Sequence, residues 1–206
     1  MNLGLLFRGI VIGFSIAAPV GPIGVLCIRR TLADGRAAGL ATGLGAATAD
    51  SLYGCLAAFG LTALTGALVG AQTWIRLIGG AFLLYLGVRT FLAKPSSRAA
   101  EARGSGLLSA YASTFLLTLT NPMTILSFVA VFAALGLGTT HPEPLAAAVL
   151  VLGVFVGSAI WWLTLSSGVS VFRSRFDEAR LRWVNRISGG VITAFGAAAI
   201  LTLLAP

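Results

Sequence analysis

Residues 145–170, "LAAAVLVLGVFVGSAIWWLTLSSGVS", pass without one charged side chain. Wound as a helix, that stretch is about 39 Å long, more than the roughly 30 Å of a bilayer's hydrocarbon core. Further apolar runs at about 4–28, 38–61, 74–93, 109–135 and 185–204 bring the expected spans to six. Only 10% of the chain is charged, whereas a soluble domain of ordinary composition carries about 25%. Mean hydropathy is +0.96. The fold class expected is an all-α integral membrane protein. Arg8 ahead of an apolar stretch resembles the start of a signal peptide, but the run continues well past a signal's apolar core. It is read as the first span.

The net charge of +8 suggests nucleic acid as a partner until its placement is examined. Twelve of the 14 basic residues fall in three clusters between spans: Arg29, Arg30, Arg36; Arg89, Lys94, Arg98, Arg103; and Arg173, Arg175, Arg180, Arg182, Arg186. Basic loops are the mark of the cytoplasmic side, with attraction to anionic lipids as a by-product. The second loop, "LTGALVGAQT", carries no charge, and the fourth, "GLGTTHPEP", carries only Glu143 and the single histidine, His141. Odd loops are therefore expected in the cytoplasm, and both termini in the periplasm. No nucleic-acid partner is expected. His141 reads as a solvated loop residue. Cys27 and Cys55 lie inside apolar runs without metal-ligand spacing and read as small buried hydrophobes.

Pro19, Gly21 and Pro22, in "IAAPVGPIGV", interrupt the first span, and Asn121 and Pro122, in "TLTNP", interrupt the fourth. Proline removes a backbone donor and clashes with the carbonyl four residues back. Irregular backbone survives in hydrocarbon only where protein or a water-filled cavity satisfies it. Pro22 suits the first turn of a restarted helix, and Asn121 with Pro122 suits an N-cap followed by one. The third and sixth spans also correspond, since "RLIGGAFLLY" at 76–85 lies against "RISGGVITAF" at 186–195. The pairing implies two inverted three-helix repeats, about 1–93 and about 109–206, joined by a cytoplasmic linker at 94–108 within a single transmembrane domain spanning 1–206. Interrupted spans at matching places in two repeats point to a transporter's binding site. Each restarted half-helix offers free N–H groups and a positive dipole end to an anionic group such as a carboxylate. Two packing kinks are the competing account.

Of six acidic residues, Asp34, Glu101, Glu143, Asp177 and Glu178 are placed in loops, and Asp50 alone within a span. A carboxylate at mid-bilayer costs on the order of 3 kcal/mol and usually faces a cavity on a substrate or proton path. A neutral, hydrogen-bonded structural role is the alternative. Gly39, Gly43 and Ala46 or Ala47 share its face and permit close helix packing. Arg76 opens the third span on the outer side, where it either snorkels to headgroups or steers an anionic substrate. Trp74 and Trp183 fit an interfacial belt, whereas Trp161 and Trp162 lie deeper, and one of them is placed to wall a cavity.

From "AAPVGPIGVLCIRRTLADGRAAGLATGLGAATADSLYG" onward, with "RLIGGAFLLYLG" and "TNPMTILSF", the chain resembles the LysE-type translocators, bacterial amino-acid exporters of the LysE/RhtB superfamily. The resemblance covers essentially the whole chain. One departure is Val20, which stands inside a motif that many members keep as Pro-Gly-Pro. The resemblance implies six spans in the bacterial inner membrane and outward transport of an amino acid or derivative, with no catalytic residues and no cofactor. Pro19, Gly21, Pro22, Asp50, Asn121 and Pro122 are the expected substrate-binding residues, with Asp50 also the expected proton-coupling group. A divalent metal-ion transporter is the rival, but one intramembrane acid, no intramembrane histidine and two scattered cysteines are few ligands for it. An intramembrane hydrolase lacks a base to join Ser51, Ser113 or Ser127. Small-residue faces also leave a homodimer open.

Overall fold

The computed structural model describes residues 3–19, 21–58, 71–92, 104–121, 124–125, 127–128, 143–175, 178–201 and 203. Among these residues every regular element is helical. α1 spans Leu3–Ala17, α2 Pro22–Asp34, α3 Arg36–Ala58, α4 Gln72–Phe91, α5 Gly104–Leu119, α6 Pro144–Val171 and α7 Glu178–Leu201. A single 3₁₀ turn at Arg173–Arg175 follows α6.

The first expected span is two helices. α1 and α2 meet at a bend of 82°. Gly21 is extended (φ −106°, ψ −161°), Pro22 stands in the first turn of α2, and the Val25 N–H donates to the Gly21 carbonyl at 3.0 Å. α2 then runs six residues past the expected end at 28, carrying Arg29, Arg30 and Asp34 on a helix instead of in a loop. It stops at Gly35, whose φ of +100° an L side chain resists. α7 likewise begins at Glu178 and not near 185, so Glu178, Arg180 and Arg182 belong to its first two turns. In both places hydropathy placed the boundary where charge begins, but the helix carries the charged residues, and α2 ends only where Gly35 changes the backbone geometry.

Among the described residues two helices are long and apolar enough to cross a membrane, Pro144–Arg175 and Ala179–Leu201, and the α1–α2 pair counts as a third if taken as one span. Apolar stretches on α4 and α5 are shorter, Leu77–Phe91 and Gly106–Leu119. α3 has 23 residues but is built largely from Ala, Gly and Thr.

Glycines decide how the helices meet. A Cβ on Gly9 or Gly13 would fall on the Leu150 or Val154 carbonyl, and one on Gly153 or Gly157 on the Leu6 or Ile10 carbonyl. The rising register makes α1 and α6 parallel, with backbones in direct contact. α3 and α5 also run parallel: a Cβ on Gly45 would meet the Tyr111 carbonyl, and Tyr53 reaches Leu119 further along. α4 and α7 are antiparallel, with Gly80 against Gly196 and Gly87 against Gly189. α3 crosses α6 in the opposite sense, Gly43 lying on Trp162 and Gly54 on Val154. In lipid such close approach matters because association rests on dispersion contacts and interhelical polar bonds. α2 sits at the centre, against α3, α6 and α7.

Candidate functional site

Asp50 lies in the middle of α3, and the small residues before it explain how it comes to be enclosed. Gly43 leaves room for the Trp162 ring, because a Cβ there would stand 2.7 Å from its Cγ. Seated in that notch, Trp162 donates from Nε1 to the Ser158 Oγ at 3.2 Å. Ser158 donates in turn to the Asp50 Oδ2 at 2.7 Å. Ser158 and Trp162 are four residues apart on α6 and so share one face. Asp50 is 3% exposed and Ser158 fully buried. The single-residue expectation of an intramembrane acid thus becomes a three-residue relay, Trp162 to Ser158 to Asp50, linking α3 to α6. Among the described residues no basic side chain pairs with Asp50; the ion pair present joins Arg29 to Asp34 at 3.9 Å.

Both chain breaks adjoin this helix. On one side Ala17 and Ile23, flanking the first break, share a core with Ala46, Ala47 and Trp162. On the other, Tyr53, one turn beyond Asp50, donates to the Leu119 carbonyl at 2.5 Å, where α5 ends. Its ring also packs on Phe128, centroids 5.6 Å apart. After α5 the Asn121 carbonyl accepts from the Thr124 and Ile125 N–H groups at 3.1 and 3.2 Å, so a new helical turn starts there. The Asn121 reading as a helix start agrees with that geometry. Asp50 therefore lies between the turn of α3 that packs against one break and the turn that bonds the other.

The expected site residues are not all equivalent. Pro22 is buried, Gly21 and Asn121 are half-buried, and Pro19 is exposed in the bend. Pro122 and His141 lie outside the described residues, and Arg76 stands on α4 with its side chain outside them. Among the described residues the hydrogen bond to Asp50 comes from α6 and from neither break. Ser158 was not anticipated; a serine four residues before a deep tryptophan, within "VGSAIWW", is the signal that marks it. Arg29 and Arg30 were expected as topology charges in a loop, but they are side chains of α2 with defined partners. Cys27 is buried and Cys55 half-buried, both free thiols. Trp74 and Trp183 are exposed near helix starts. Trp161 makes an edge contact with Phe14 at 5.4 Å.

Comparison with known proteins supplies the lineage. The LysE type translocator family matches residues 14–202. The chain is similar to the "Putative amino acid efflux protein YcgF" of Bacillus subtilis (strain 168), 30% identical over 200 residues, or 95% of this chain and 94% of the relative. It is also similar to the "Uncharacterized membrane protein YahN" of Escherichia coli (strain K12), 30% identical over 174 residues, or 82% of this chain and 76% of the relative. No solved structure matches it. With its apolar helices and a family match over nearly its whole length, this is a membrane protein of the LysE type translocator family.

Proposed function

We propose that the protein is a secondary exporter of an amino acid or amino-acid derivative across the bacterial inner membrane, working by alternating access around Asp50. The observation that carries this is a buried carboxylate without a basic partner among the described residues, held by Ser158 beside two broken helices. The name of the Bacillus relative supports amino-acid efflux as the activity.

The half-helix ends restarting at Gly21–Pro22 and Asn121–Pro122 receive the substrate carboxylate, through free N–H groups and positive dipole ends. Asp50 takes the ammonium group or a proton in turn. A zwitterion suits such a site because each of its charges finds a fixed partner. Pro19, exposed in the bend, and the buried Pro22 shape the first of those ends and count among the residues that line the substrate site.

The chain crosses the bilayer six times as two inverted three-helix repeats, about 1–93 and about 109–206, with the 94–108 linker in the cytoplasm and both termini in the periplasm. Support comes from helix direction. Six alternating spans make spans one and five parallel, spans two and four parallel, and spans three and six antiparallel, and an inverted repeat makes the one–five and four–two contacts counterparts of each other. Those are the senses of α1 with α6, α3 with α5, and α4 with α7.

Efflux from cells loaded with a panel of dipeptides tests the reading, comparing wild type, Asp50→Asn and an empty vector. Wild type releases particular amino acids faster than the vector, and release steepens with an inward proton gradient. Asp50→Asn loses that steepening, and its rate falls about thirtyfold, as expected for losing roughly 2 kcal/mol of charged interaction. Equal release by wild type and vector, with the protein in the membrane, overturns the exporter reading. Gradient-dependent release by Asp50→Asn at the wild-type rate removes Asp50 from coupling.

A further inference from the structure

α2 is the short half of a broken helix at the centre of the bundle, and guanidinium groups tie its C-terminal end on every side. Arg30 Nη1 donates to Thr42 Oγ1 at 3.1 Å, to the Ala110 carbonyl at 3.0 Å and to Thr114 Oγ1 at 3.0 Å. Its Nη2 donates to Ser113 Oγ at 2.8 Å. Thr42 is on α3 and the other three are on α5, so one side chain of α2 bridges three helices. Arg29 Nε donates to Asn185 Oδ1 on α7 at 3.0 Å. Arg173 donates from Nε and Nη2 to the Leu32 and Ala33 carbonyls, in the last turn of α2, at 3.2 and 3.3 Å.

These bonds lie across the way to Asp50 from the face bearing the basic loops. Thr42 precedes Asp50 by eight residues on one helix, about 12 Å along its axis. Leu26, Cys27, Ala46, Ala47 and Leu117 share one buried core on these helices, each 2% exposed or less. The chemistry of the Arg30 bonds differs from a structural ion pair. Every acceptor is a neutral hydroxyl or carbonyl, and no carboxylate lies within 4 Å of the guanidinium among the described residues. A carboxylate would grip it more strongly through paired charge-assisted bonds. Neutral acceptors leave no partner charge stranded when the contact parts, which suits a contact that opens and closes in every cycle.

We propose that Arg30 is the latch of the cytoplasmic gate: through Thr42, Ser113, Thr114 and the Ala110 carbonyl it holds α2 against α3 and α5, and it releases to admit cargo. The latch rests on the exporter reading and on the cytoplasmic placement of the basic loops.

Cys27 reports on it, being buried on α2 one turn before Arg30. In a Cys55→Ala background, its labelling by a membrane-impermeant maleimide is followed in inside-out and right-side-out vesicles. Two unlatched forms are compared with the parent: Arg30→Gln, and the Ser113→Ala/Thr114→Val pair, which leaves the arginine in place. Both raise labelling from the cytoplasmic face by about fivefold or more, the population shift expected for a lost hydrogen bond. Labelling from the other face stays at the parent rate. Arg30→Lys, which keeps the charge but loses the fork, falls between. Where Arg30→Gln fails to reach the membrane, the α5 pair decides. Unchanged labelling in the α5 pair overturns the latch, and so does an equal rise from both faces, which means a loosened fold. The readout needs no cargo, so the two readings fail separately. A protein that exports no amino acid yet opens at Cys27 keeps the latch, and an exporter whose Cys27 stays protected in both forms does not.

Discussion

Asp50 and Ser158 are separated by 108 positions yet share a 2.7 Å hydrogen bond, and the partner of Asp50 decides what substitutions there do. Asparagine keeps an oxygen to accept from Ser158. Asp50→Asn is therefore expected to reach the membrane and melt in detergent within about 1 kcal/mol of the parent while losing gradient-dependent efflux. Ser158→Ala leaves the buried carboxylate without its donor, which costs about 1–3 kcal/mol. A lower melting midpoint in detergent reads that loss. Should Ser158→Ala melt at the parent temperature, the hydrogen bond is not a structural one. Trp162→Phe keeps the ring in the Gly43 notch but removes the donor to Ser158, so its effect belongs to efflux more than to stability.

At the scale of elements, the glycines divide by what stands opposite them. Gly13 and Gly157 lie against backbone of the facing helix, which cannot yield as a side chain can. Gly13→Val forces α1 from α6 and is expected to destabilise the detergent-solubilised protein by about 1–3 kcal/mol. Gly190, inside α7 with nothing among the described residues within 4 Å of a Cβ, behaves in the opposite way. Gly190→Ala is expected to gain about 0.5–1 kcal/mol from helix propensity, seen as a raised melting midpoint. The contrast is sharp because Gly190 adjoins Gly189, whose Cβ would stand 2.7 Å from the Gly87 carbonyl of α4. The "GG" shared by 76–85 and 186–195 therefore does not carry matching contacts: Gly80 lies on α7, whereas Gly190 is open. The paired chain breaks fare better as a repeat signal. Each ends one helix and starts another by a carbonyl, that of Gly21 or Asn121, accepting from N–H groups further on.

For the whole molecule the issue is which face each loop occupies. Single cysteines at Arg36 and Glu143, in a chain without Cys27 and Cys55, separate the faces. With an impermeant maleimide on intact cells, Glu143→Cys labels directly and Arg36→Cys only after lysis. The reverse pattern overturns the orientation read from the basic loops. The same experiment bears on the Arg30 latch, which closes the cytoplasmic route only if the α2–α3 turn faces the cytoplasm.

Much of this was legible before any coordinates. Long uncharged runs leave a bilayer as the only solvent that suits them, and a proline in the interior of such a run kinks or breaks the helix, because the missing N–H and the ring clash are local. Asp50 stood out for the same reason, as the one acid far from any loop. Boundaries were less legible: α2 carries two arginines past the apolar run, since a helix ends on dihedral angles, at Gly35, and not on hydropathy. What only the tertiary structure decided is who meets whom. Ser158 became the partner of Asp50 because Gly43 lets α6 approach closely enough for Trp162 and Ser158 to line up beneath the carboxylate. Arg30 passed from a loop charge to a bridge among three helices because α2 lies at the bundle's centre. Local chemistry determined the membrane, the breaks and the isolated acid, whereas contacts between distant segments depend on helix approach and register, which no short stretch of sequence contains.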